Sequence, residues 1–71
     1  MSNPLFSITT TSGYSVLVGV SVSVVTPAAA RTVSIDAAQQ VADGLPPMWI
    51  PGKGKQLSAI EAFCEAVVAQ P

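Results

Sequence analysis

Valine recurs at every second position through residues 14–25, YSVLVGVSVSVV: Val16, Val18, Val20, Val22 and Val24, with Tyr14 leading the series. Ser15, Leu17, Gly19, Ser21, Ser23 and Val25 stand between them. A period of two is that of a β-strand, whose successive side chains point to opposite faces. Valine, stiff at χ1, suits a pleated surface better than a helix. Read as one strand, the stretch would run for about 40 Å at roughly 3.3 Å per residue. That is about twice the usual strand length of ~5–6 residues. One face would be an apolar strip in need of cover. The other would be small and polar, with Leu17 and Val25 as exceptions.

Residues 5–10, LFSITT, alternate as well, with Phe6 and Ile8 on one face. The two runs form a predicted hairpin. A two-residue loop would set Phe6 and Ile8 opposite the valine strip. A three-residue loop, Thr11-Ser12-Gly13, pairs Ile8 with Val16 and Phe6 with Val18, which joins the large residues on one face. It also puts Gly13 where such a loop needs a left-handed residue. In that register Pro4 would meet Val20, and residues 21–26 would have no hairpin partner. Their uncovered edge would need residues 32–35, residues 48–50 or a strand from another chain.

Pro27 ends the strand, since it cannot donate to a ladder. Ser34 is a good N-cap, and Asp36 suits the positive end of a helix dipole. Ile35, Ala38, Val41, Ala42 and Leu45 follow helical spacing, and Gly44 with Pro46-Pro47 makes a strong stop, so a short helix is expected over residues 35–43. Residues 45–55, LPPMWIPGKGK, read as an irregular Pro/Gly-rich loop. A second helix is expected over residues 56–70, with Leu57, Ile60, Phe63, Cys64, Val67 and Val68 on one face. Ser58 and Glu61 have capping-box spacing, which would start the helix at Ser58. The sequence predicts one α+β domain over residues 1–71. Its N-terminal β-hairpin would have a long second strand, followed by two helices (ββαα), and oligomerisation would complete it.

The chain has 71 residues, a net charge of −1, 49% hydrophobic residues, one cysteine and no histidine. A domain this small is marginal alone and usually relies on disulfides, a metal or a partner. One cysteine without histidine provides neither an internal disulfide nor a good zinc set. Association with another chain is the remedy left. Scarce charge with high hydrophobicity argues against disorder, and no basic face suggests nucleic acid. Residues 5–30 carry no charge. Their Ser and Thr content, Pro27 and period of two argue against a membrane helix. No basic n-region marks a signal peptide. The expected location is cytoplasmic or within a macromolecular assembly, not secreted.

No histidine means no commonest general base. Cys64 lies in the apolar stripe, as a small hydrophobe would. Glu61 and Glu65, one helical turn apart, read as a solvated pair, with a salt contact to Arg31 or to a neighbouring subunit as the next choice. Gly52-Lys53-Gly54-Lys55 fails the Walker pattern: Trp49 stands where its first glycine belongs and Gln56 replaces Ser or Thr. Lys53 and Lys55 remain a weak anion-binding candidate. Met48-Trp49-Ile50, set between prolines, is the best functional candidate. Trp49 either seals the core or forms part of a preordered apolar plug for a partner.

These features predict a non-catalytic structural or adaptor subunit of a larger assembly, with a viral particle as one context that would fit. Self-association would use Val22 and Val24 on the long edge strand together with Met48, Trp49 and Ile50. The alternative is a small regulator or inhibitor that docks on a larger protein by strand addition or by its Trp49 loop. No cofactor, metal, catalytic residue, small-molecule substrate, nucleic acid or membrane is expected.

Overall fold

A computed structural model describes residues 6–70. The expected strand start at residue 5 and the meeting of Pro4 with Val20 lie outside the described residues. The chain runs through four strands, β1 (Phe6–Thr9), β2 (Ser15–Val18), β3 (Val22–Val25) and β4 (Ala30–Val33). Helix α1 (Ile35–Asp43), a small hairpin β5 (Trp49–Ile50) and β6 (Gly54–Lys55), and helix α2 (Leu57–Val68) follow. The first four strands form one antiparallel sheet in the order β1-β2-β3-β4. The class is α+β, but the order is ββββαββα rather than ββαα.

The expected long strand is the main correction. It folds back on itself at Gly19, Val20 and Ser21, so that Val18 pairs with Val22 and Val16 with Val24. The tip residue, Val20, is 90% exposed. A continuous strand and this hairpin share one hydrophobic pattern. Each β2–β3 pair joins positions of the same parity, so the even-numbered valines stay on one face through the turn. Folding back also lets each half of the strip cover the other half's backbone edge. The edge of β3 is then taken by β4, where Val22 pairs with Val33 and Val24 with Arg31.

The first hairpin has the expected register, Phe6 to Val18 and Ile8 to Val16. Its three-residue loop closes through Thr10 N–H to Tyr14 O at 2.8 Å and Gly13 N–H to Thr10 O at 3.1 Å. Gly13 has φ +95°, as the loop type requires. At the β3–β4 turn the buried Thr26 hydroxyl accepts from Ala28 N–H at 3.2 Å and Ala29 N–H at 2.9 Å. That turn has an even number of residues, so parity changes across it. Thr32 therefore falls on the outer face, where its hydroxyl is 3.1 Å from that of Ser23.

Helix α1 begins and ends as expected. Ala37 N–H donates to Ser34 Oγ at 3.1 Å, and Gly44 caps the C-terminus. Helix α2 begins one residue before Ser58, so the capping box does not set its start. Its N-cap is Gln56, whose side chain makes no cap bond. Gln56 N–H instead donates to Met48 O at 2.8 Å, so the base of the small hairpin determines where the helix enters. Helix α2 packs on β3, β4 and α1. Ile60, Cys64 and Val67 from α2, with Val24 from the sheet, are fully buried.

Two stability changes are expected. Ile60→Ala should cost about 2–5 kcal/mol in urea denaturation, a large part of what holds a small domain together. Gly13→Ala should cost about 1–2 kcal/mol through its left-handed backbone. An added Cβ there would meet only Pro27 Cγ at 3.5 Å, an ordinary contact, so crowding contributes nothing.

Candidate functional site

The stretch expected to be an irregular loop is a built hairpin. Ile50, Pro51, Gly52 and Lys53 form its turn, with Lys53 N–H donating to Ile50 O at 3.0 Å. Proline second and a glycine at φ +81° third are the marks of a type II turn. Trp49 pairs with Lys55 and Ile50 with Gly54. The Met48–Gln56 hydrogen bond closes the base. Pro51-Gly52 after two strand formers was the signal for this turn in the sequence.

The hairpin splits the Met48-Trp49-Ile50 plug. Met48 is half-buried and packs against the core, and Ile50 is half-buried. Trp49 is 59% exposed. Adjacent residues of an extended strand face opposite ways, so a Met48 turned inward turns Trp49 outward. Lys53 and Lys55 are exposed on the same hairpin, Lys55 directly across from Trp49. The structure thus brings Trp49, Lys53 and Lys55 together. Val22 and Val24 lie elsewhere, 3% and 0% exposed in the core, flanked by β2 and β4. The outermost strands of the sheet are β1 and β4.

An apolar cleft of about 160 Å³ adjoins the hairpin. It opens between the β1–β2 end of the sheet (Phe6, Val18), α1 (Ile35, Ala38) and Phe63 of α2, with Met48 also in its wall. Gln39 is its single polar lining residue among the described residues. The cleft exists because α2 packs on β3 and β4, and the short α1 leaves the first two strands partly open. Phe6 and Ile35 at its mouth are 44% and 45% exposed. The sequence placed both in the core by periodicity, which marks the inward face but not how far a helix reaches across it.

Tyr14 OH donates to Glu65 Oε2 at 2.8 Å, tying the first hairpin to α2. This bond to a carboxylate raises the Tyr14 pKa above 10.0, with desolvation and the negative charge adding to it. Arg31 Nη1 donates to the Gln70 carbonyl. Burial pushes the Cys64 thiol up to about 11, and the nearby Glu61 carboxylate acts in the same direction. Its Sγ is 4.0 Å from the Ser15 carbonyl. No group of three His, Cys, Asp or Glu able to hold a metal exists among the described residues. Among them, no helix is long and apolar enough to cross a membrane.

The Cys64 shift fixes a pH dependence. Between its ordinary value of 9.0 and about 11, the unfolded chain gives up a thiol proton that the folded chain keeps. Stability is therefore full below pH 9 and falls as pH rises through this window. Tyr14 acts in the same direction. Thermal melts should lose midpoint above pH 9, and Cys64→Ala should flatten part of that loss. A thiol reagent at pH 8 should react only as fast as the chain opens. The chain matches no family model, no curated protein and no solved structure.

Proposed function

We propose that this chain is a non-catalytic structural or adaptor subunit that self-associates through the surface around Trp49. The exposed indole is the observation that carries this reading. It belongs to the chain's one tryptophan and stands on a hairpin closed by backbone bonds. Burying a large apolar side chain stabilises by about 1.5–3 kcal/mol, and that gain is largely unrealised at Trp49. A prebuilt turn also lowers the entropy lost on docking, and tryptophan is enriched among the residues that dominate binding energy. Charge is scarce over the chain as a whole, at 10% of residues, and two of its three cations, Lys53 and Lys55, are exposed on this hairpin. The long edge strand plays no part in this reading, because Val22 and Val24 are interior.

The second reading, a small regulator that docks on a larger protein, rests on the outermost position of β1 and β4 in the sheet together with the same Trp49 hairpin.

Light scattering over a dilution series separates the two. Self-association predicts a defined oligomer and a blue-shifted tryptophan emission that moves red on dilution. Trp49→Ala should give a monomer whose unfolding midpoint lies below that of wild type and no longer rises with concentration, because association stabilises the folded chain by mass action. A monomer with red emission at every concentration would remove self-association and leave the regulator.

A further inference from the structure

The geometry points to a two-fold dimer in which Trp49 of each copy enters the apolar cleft of the other; this rests on the self-association reading and names its contact. The cleft measures about 160 Å³ and is apolar apart from Gln39. An apolar cavity of about 150 Å³ is enough to hold benzene. The mouth is open, so the larger indole can seat its six-membered ring and leave its N–H at the rim. Phe6 and Ile35, half in water at that mouth, would then be covered.

Trp49 cannot serve its own cleft. Met48 already stands in that wall, and the strand turns the next side chain the opposite way. Donor and acceptor are nonetheless neighbours in the chain, since Met48 of the cleft wall directly precedes Trp49. A two-fold interface has this form, because residue i meets j while j meets i.

Charge complementarity favours a second copy as the occupant. Two of the chain's three cations, Lys53 and Lys55, are on the hairpin beside Trp49. Helix α1, which supplies one wall, carries two carboxylates of the opposite sign outside the lining, Asp36 and Asp43. Asp43 accepts a hydrogen bond at 2.9 Å from Gln39 Nε2, the polar group of the lining. Asp36 lies seven residues earlier, on the same side of the helix. A hairpin with an indole in the cleft would bring its lysines toward these carboxylates.

Complementation tests the arrangement. Trp49→Ala removes the ring, and Ala42→Phe fills the cleft wall from α1. Each should weaken homodimerisation at least about 30-fold, the scale of losing one dominant interface residue. Mixing the two variants leaves one intact indole and one intact cleft, so a heterodimer should form in sedimentation velocity when neither variant pairs alone. Gln39→Phe, an exposed change at the same rim, takes the place of Ala42→Phe if a thermal melt shows that variant unfolded. Lys53→Glu with Lys55→Glu should weaken the dimer as well, and Asp36→Lys with Asp43→Lys in the partner should restore it. If the filled-cleft variant pairs as tightly as wild type while Trp49→Ala is monomeric, the indole docks elsewhere; this inference then fails and self-association stands. A wild-type chain that stays monomeric at millimolar concentration overturns both.

Discussion

One apolar sheet face must be kept out of water, and α2 is the element that covers most of it. Val24 at the centre of the sheet and Ile60, Cys64 and Val67 on the helix have no exposed surface. They form the contact about which the other parts are arranged. A chain of this length has no disulfide and no second core to fall back on. The hairpins bring the valines onto one side, and the small β5–β6 hairpin fixes where α2 enters. Tyr14 then ties the far end of the helix to the first turn through Glu65. Cys64 belongs to this contact as well, and its raised thiol pKa follows from its burial there.

The same requirement accounts for what is left uncovered. Helix α1 is nine residues long and is stopped by Gly44 and two prolines. It is too short to close over β1 and the near end of β2, and α2 lies over β3 and β4 instead. The cleft is the remainder. It is apolar because it is a continuation of the core face rather than a separately built pocket. The hairpin that bears Trp49 is fixed to its wall through Met48. An unfilled apolar surface and an unburied indole therefore arise from one shortage of covering structure, which a second chain can make good. This is the physical basis for reading the protein as a part of something larger.

Much of the local structure was legible in the residues. The first hairpin's register followed from matching Phe6 and Ile8 to Val18 and Val16, and Gly13 sits in the left-handed conformation its position called for. Helix α1 followed from Ser34, the apolar spacing and Gly44, all of them local signals. The site was legible in part. Trp49 stood out by type and setting, but its exposure depended on the unexpected hairpin. Val22 and Val24 were assigned to an edge that does not exist in the folded chain.

By itself the sequence determined which side chains of the valine run share a face and where α1 starts and stops. Period and punctuation are local properties, set by backbone sterics within a few residues. It could not determine whether the valine run is one strand or two. A turn that preserves parity leaves the hydrophobic pattern unchanged, so both solutions read alike. Only tertiary structure decided between them, because the folded-back form pairs its own backbone and brings β4 beside β3. The reach of α1 and α2 across the sheet was decided at the same level. It depends on where helices of fixed length land on the sheet, and that in turn produced both the cleft and the outward-facing tryptophan.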